Sequence, residues 1–355
     1  MNDSPVPSPR RGALTRRDLL LHSGLVLTGG LAAGLEASAH AQDTPKLILG
    51  NGSHRYECHH DWLTPPPHLL WGDTQGVAQD SKGRIYISHT VHPDSKSRDA
   101  IAVFDRNGQF LTSWGARFDG GGHGLDIRKE KGTEYLYHCD TAHRQVVKTD
   151  LDGNVVWEKG LPAEAGVYKD NDPFIPTNVA LAPNGDFYVT DGYGSDWILR
   201  YNIHGELIQT FGGKGSDPGK VLNAHGIWVD TRGKEPFVVV ADRANHRLQY
   251  FTLDGRHVRF SSDGMRQPCH FDIRGDLLLV PDLNSVVTLL DKDNKVVVQL
   301  GDGASVPNLP GRGKPRAEFV PGKFIHPHSA KFLKNGDILV VEWIPIGRVT
   351  LLRRA

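Results

Sequence analysis

A unit of about 45 residues recurs six times along the chain, and this repetition constrains the fold more than any other feature of the sequence. Each copy opens on a short apolar segment: GVAQD at Gly76, HGLDI at His123, TNVAL at Thr177, HGIWV at His225, HFDIR at His270 and SAKFL at Ser329. A second apolar segment then ends on a polar or acidic residue, at His89, Asp140, Asp191, Asp242, Asp282 and Glu342. A third follows (IAVFD, QVVKTD, ILRYN, RLQYF, VVTLLD, RVTLL), usually closed by a glycine turn such as RNGQ, LDGN or LDGR before a fourth. Periodicity at this length marks an array of supersecondary units. Four short strands per unit, punctuated by glycine turns, describe the blade of a propeller. The expectation is therefore an all-β, six-bladed β-propeller of four-stranded blades. The sixth copy runs out at Ala355 after three strands, so the missing strand must come from the other end of the chain. HRYECHHDW, residues 54–62, is the expected closing strand, with KLILG just before it as a competitor. Closure of this kind removes the open sheet edges that invite aggregation.

Three histidines occupy one register of alternate repeats. His123, His225 and His328 are spaced 102 and 103 residues apart, two repeats each time. Alternate members of a six-membered ring stand about 120° apart, so equivalent side chains converge on the axis. Three neutral imidazoles there hold a divalent metal and leave a fourth position open for a substrate oxygen or water, the arrangement of catalytic zinc sites. Zinc fits this ligand set best, with other divalent transition metals open. Such a centre polarises a carbonyl or lowers the pKa of a hydroxyl, so lyase and hydrolase chemistry are both within its reach. Against this stands the plain reading of three histidines lining a wet channel.

The rest of the composition narrows the partners. Lys and Arg together number 41, as do Asp and Glu, and no basic run interrupts the repeats. Nothing electrostatic favours nucleic acid or an anionic membrane, which leaves a small-molecule or short-peptide substrate. Residues 1–41 stand apart from the propeller, which is expected to occupy 42–355 as one domain. Thr15-Arg16-Arg17-Asp18-Leu19-Leu20 precedes an apolar stretch broken by Gly29, Gly30 and Gly34, and Ala39-His40-Ala41 offers a cleavage pattern before Gln42. This looks like a twin-arginine signal peptide, which implies the twin-arginine export machinery, a periplasmic or secreted product and no stable membrane insertion. Cys58, Cys139 and Cys269 match no zinc-finger spacing. Their odd number leaves at least one thiol unpaired.

Several of these segments together resemble the peptidyl-α-hydroxyglycine α-amidating lyase family, a branch of the NHL-repeat propellers. The segments are HGLDI, IPTNVALAPNGDFYVTDGYGS, AHGIWV, VVVADRANHRLQYF and PHSAKFLKNGDILVVE. The resemblance implies an axial zinc on three histidines, which fall on His123, His225 and His328. It further implies an active-site tyrosine at Tyr193, in Asp191-Gly192-Tyr193, and an active-site arginine at Arg243. The tyrosine would serve as general base beside the metal if its pKa is depressed, and the arginine would clamp a carboxylate. Arg247, in contrast, is expected to pair with Asp242 and brace the blade. The chain also departs from the family pattern. No arginine stands at the first-blade catalytic position, where His89, His92 and a shifted Arg98 occupy the loop. Ser329 replaces the acidic residue that helps hold a structural calcium, so calcium is not expected. Ile175 and Gly194 replace a cysteine pair. The reading that follows is a metal-dependent lyase cleaving the C–N bond of N-acyl- or peptidyl-α-hydroxyglycine substrates to an amide and glyoxylate. The alternatives are a lactonase-type propeller hydrolase and a non-catalytic propeller whose loops, around Trp114, Phe118 and Gly120-Gly121-Gly122, bind a protein or glycan.

Overall fold

The computed structural model describes residues 46–355, which form six antiparallel sheets, one per sequence repeat. The reading of residues 1–41 as a signal peptide lies outside the described residues. In each blade the first strand lines the axis and the fourth lies at the rim. The axial strands are Thr74–Gln79, Gly122–Glu130, Asn178–Leu181, Ala224–Asp230, Asp272–Arg274 and Pro327–Phe332. Blade six takes both N-terminal candidates. His54–His59 pairs with Val349–Arg354 and completes the four-stranded blade, and Ile48–Asn51 adds a fifth strand outside it. The competitor segment is thus an addition to the closing strand and not a replacement for it.

Six apolar clusters, one at each blade–blade boundary, hold the ring. Between blades one and two, for example, Tyr86, Ile101 and Val103 meet Leu125, Leu136 and Val147. At the boundary of blades five and six, Tyr56 and Cys58 of the closing strand join Leu279, Leu289, Phe324 and Leu352. Burying one such aliphatic or aromatic side chain stabilises the fold by about 1.5–3 kcal/mol. The middle strands are apolar on both faces because each sheet is covered on both sides by its neighbours. This is why segments such as VVVAD run without polar alternation.

Two repeated polar devices connect sequence to geometry. In the turn between third and fourth strands of blades one, two, three and five, a leading Asp or Asn accepts two backbone N–H bonds, as Asp105 does from Asn107 and Gln109 at 2.8 Å each. The fourth turn residue then adopts positive φ, which glycine tolerates at Gly108 (85°), while blade five uses Asn294 (59°). The second device is the buried acid that ends each second strand in blades two to six. Asp282 accepts backbone N–H groups of Arg266, Gln267 and Asn284, and Glu342 accepts that of Ile325 while pairing with Arg348. In blades three to six these carboxylates pin the loops that lead into the axial strands, whereas Asp140 of blade two holds the His143 N–H in the loop that follows it. In blade one His89 performs the pinning task as a neutral ring, its Nδ1 accepting the N–H of Gly72 at 3.4 Å as well as that of Val91 at 3.1 Å. The expected brace in blade four is present, with Arg247 Nε 2.6 Å from Asp242 Oδ2.

Candidate metal centre

The three HG or HS segments begin the axial strands of blades two, four and six, and each carries a β-bulge at its histidine. The bulge turns the imidazole toward the axis. His123, His225 and His328 are buried, and their nearest ring nitrogens all lie within 4.8 Å of one another. The ring centroids are 4.7–5.0 Å apart.

Each ring is anchored from behind in the same way. His123 Nδ1 lies 2.7 Å from the carbonyl of Thr177, His225 Nδ1 2.9 Å from that of Cys269, and His328 Nδ1 2.8 Å from that of Gln75. In every case the acceptor belongs to the next blade, at the head of its axial strand. A carbonyl accepts only, so Nδ1 carries the proton and the lone pair is left on Nε2. This is the orientation and tautomer a metal-ligating histidine needs. In blades two and four a glycine follows the histidine and gives the carbonyl room, whereas Ser329 follows His328. A Cβ at Gly124 would stand 2.4 Å from the Thr177 carbonyl oxygen, and one at Gly226 2.2 Å from that of Cys269.

Burial sets the charge of the cluster. It depresses His123 to about 3 and puts His225 and His328 well below the ordinary histidine range, with the nearby Arg243 guanidinium acting in the same direction. All three are therefore neutral ligands at neutral pH. His328 Nε2 is buried without a hydrogen-bond partner. A buried polar atom left orphaned is costly, and a cation shared by the three Nε2 atoms would satisfy it. The donor set thus fits a divalent transition metal.

Tyr193, on the loop after the second strand of blade three, reaches the same point. Its hydroxyl lies 2.9 Å from His225 Nε2 and 3.3 Å from His123 Nε2. Burial raises the pKa of this phenol and outweighs the opposing charge of Arg243. Arg243 follows Asp242 at the end of the second strand of blade four. One of its terminal nitrogens is 3.5 Å from the Tyr193 hydroxyl and the other 3.8 Å from Cys269 Sγ. Among the described residues no carboxylate pairs with it.

Of the other residues singled out in the sequence, Cys269 borders the site through its carbonyl and Sγ, and the rest have other partners. His89 is fully buried in its loop-pinning role, and Arg98 is bound to Asp119 at 2.6 Å. Ser329 bonds His270 Nδ1 at 3.2 Å. The three cysteines are free and buried. Of the suggested binding face, Phe118 is buried and stacks on His138 at 4.8 Å, while Trp114 is half-buried. One group at the mouth escaped sequence reasoning. Arg312 pairs with Asp73 and lies 3.7 Å over the Trp343 ring. No local motif announces it, since the partners are 239 and 31 residues away.

No family model matches the sequence. Among curated proteins, the chain is 30% identical over 222 residues to the peptidylglycine alpha-amidating monooxygenase of Rattus norvegicus, a match covering 55% of this chain and 22% of the rat protein. It is 28% identical over 191 residues to peptidyl-alpha-hydroxyglycine alpha-amidating lyase 1 of Drosophila melanogaster, covering 47% of this chain and 34% of that protein. A probable peptidyl-alpha-hydroxyglycine alpha-amidating lyase of Caenorhabditis elegans is 30% identical over 205 residues, 51% of this chain and 56% of that protein. The chain therefore spans about half or less of the length of these relatives. Among solved structures, a streptogramin B lyase superposes with a TM-score of 0.56 at 13% identity, covering 83% of this chain and 98% of that one. The virginiamycin B lyase from Staphylococcus aureus gives 0.52 at 12%, covering 84% and 99%. At these identities the structural likeness speaks for the fold alone. The curated matches carry the descent: this chain is a six-bladed β-propeller homologous, over about half its length, to the peptidyl-α-hydroxyglycine α-amidating lyases.

Proposed function

We propose that this protein is a metal-dependent lyase that cleaves the C–N bond of an N-acyl- or peptidyl-α-hydroxyglycine, releasing an amide and glyoxylate. The observation that carries the reading is the meeting of three Nδ1-anchored histidines with the Tyr193 hydroxyl and an unpaired Arg243 at one mouth of the axis. The names of the curated relatives support the substrate class.

His123, His225 and His328 would hold the metal through Nε2. A divalent cation there supplies Lewis acidity and a positive charge that opposes the effect of burial on the Tyr193 phenol. Arg243, with no carboxylate of its own, holds the substrate carboxylate by charge-assisted hydrogen bonds. Tyr193 takes the proton of the substrate hydroxyl. As that proton leaves, the carbon–oxygen bond becomes the carbonyl of glyoxylate and the carbon–nitrogen bond breaks. Its electron pair stays on the amide nitrogen, which takes up a proton, so atoms and charge balance without a redox partner. The three histidines cannot act as the base while their lone pairs hold the metal.

A lactonase-type hydrolase draws on carboxylate and amide ligands, whereas the candidate metal group among the described residues is histidine alone. The test is elemental analysis of the purified protein combined with glyoxylate release from a simple N-acyl-α-hydroxyglycine. Stoichiometric metal and glyoxylate, both lost on replacing any one of the three histidines, are expected. A metal-free protein with no turnover would return the non-catalytic propeller. Export by the twin-arginine route belongs to the same proposal, and Arg16→Lys with Arg17→Lys should retain the protein in the cytoplasm.

A further inference from the structure

The mouth that carries Tyr193 and Arg243 has an opposite wall. In a ring of six, blades six and one face blades three and four across the axis, so Asp73 and Trp343 stand opposite Tyr193 and Arg243. Asp73 lies two residues before Gln75, whose carbonyl anchors His328. Arg312 arrives from the long loop between blades five and six and is built into this wall on three sides. Its guanidinium stacks on Trp343, its Nε donates to the Trp343 carbonyl at 3.3 Å, and one terminal nitrogen, Nη2, pairs with Asp73. The other terminal nitrogen, Nη1, has no hydrogen-bond partner among the described residues. About a third of the Arg312 side chain remains exposed (32%).

The two arginines differ in a way that assigns them different ligands. Arg243 is an uncompensated cation, suited to an anion. Arg312 is neutralised by Asp73, and what it offers is an oriented N–H donor pair on a rigid, stacked plane. A second carboxylate would meet the charge of Asp73, whereas a neutral acceptor would not. Resting on the function proposed above, we infer that Arg312 is a substrate-binding residue that takes the acyl carbonyl oxygen of the substrate through Nη1. It would make the site selective for N-acylated ligands over simple α-hydroxy acids. The substrate then spans the mouth, with its carboxylate on Arg243, its hydroxyl at Tyr193 and its amide against the Arg312–Trp343 wall.

The test is binding, which does not depend on turnover. N-Acetylglycine carries the carboxylate and the acyl carbonyl but no hydroxyl and cannot be cleaved, and glycolate carries the carboxylate and hydroxyl but no acyl group. Dissociation constants for both are measured by NMR titration of the purified protein. Arg312→Ala is expected to weaken N-acetylglycine about tenfold or more, the scale of one lost hydrogen bond to a charged donor, and to leave glycolate unchanged. The unchanged glycolate also reports an intact site. Arg312→Lys keeps a cation beside Asp73 but loses the planar fork, and the same selective loss is expected. Equal weakening of both ligands, no change in either, or wild-type N-acetylglycine binding in Arg312→Lys would each overturn the inference. Absence of glyoxylate release by the wild-type protein would overturn the parent reading separately, and the two binding constants would still decide the role of Arg312.

Discussion

Gly226→Ala should weaken metal binding without touching a ligand. The added Cβ would stand 2.2 Å from the Cys269 carbonyl oxygen and 2.9 Å from both its carbonyl carbon and the His270 Cα. All three are backbone atoms and cannot rotate away. A tolerable contact requires a shift of roughly 1 Å between the axial strands of blades four and five. That carbonyl is also the acceptor of His225 Nδ1, now at 2.9 Å. Displaced by so much, it falls outside hydrogen-bonding range, and the imidazole loses the group that orients it. Overpacking of this kind costs about 1–3 kcal/mol of stability, and loss of such an outer partner weakens metal affinity about 10–100-fold. Competition with a chelator reads the affinity, and thermal unfolding of loaded and stripped protein reads the stability. Gly160→Ala, where no atom lies within 4 Å of the new Cβ, is the control for the chemical change itself. Metal affinity in Gly226→Ala equal to that of the wild type would refute the idea that the neighbouring carbonyl sets the histidine.

Three other outcomes are expected. Tyr193→Phe should lower glyoxylate release by about 10² or more, the scale of general acid–base catalysis, with metal content unchanged; full activity would remove Tyr193 from the mechanism. Tyr56→Ala should cost about 3 kcal/mol in urea unfolding, since this side chain of the closing strand is buried (3%) between blades five and six. Burial raises Asp126 to about 6, so the folded state binds its proton more tightly than the unfolded chain does. Stability contributed by that proton is present below about pH 4 and is lost as the pH rises to about 6. Asp126→Asn should flatten this part of the stability profile, and an unchanged slope between pH 4 and 6 would contradict the assignment.

The six-blade ring and its histidine triad are legible in the order of residues because both are periodic. A blade must cover both faces of its middle strands with its neighbours, so apolar runs of fixed length recur with fixed turn residues, and a side chain at one register of alternate blades has only the axis to point to. The truncated last copy likewise demands a strand from the N-terminus, although nothing local could say that Ile48–Asn51 would be added beside His54–His59. The tertiary structure decided what depends on backbone meeting backbone across blades. In blades two and four the HG pair is a ligand with its own clearance, because Gly124 and Gly226 let the carbonyls of Thr177 and Cys269 come close to the Nδ1 protons, while Ser329 takes that place in blade six. His89 became a neutral substitute for the loop-pinning acids, a role set by the N–H groups it faces and not by its residue type. Asp73, Arg312 and Trp343 form one wall of the mouth although 239 residues separate the two charges. Local sequence carries no trace of such a contact, since it is the closure of the ring that brings blade six beside blade one.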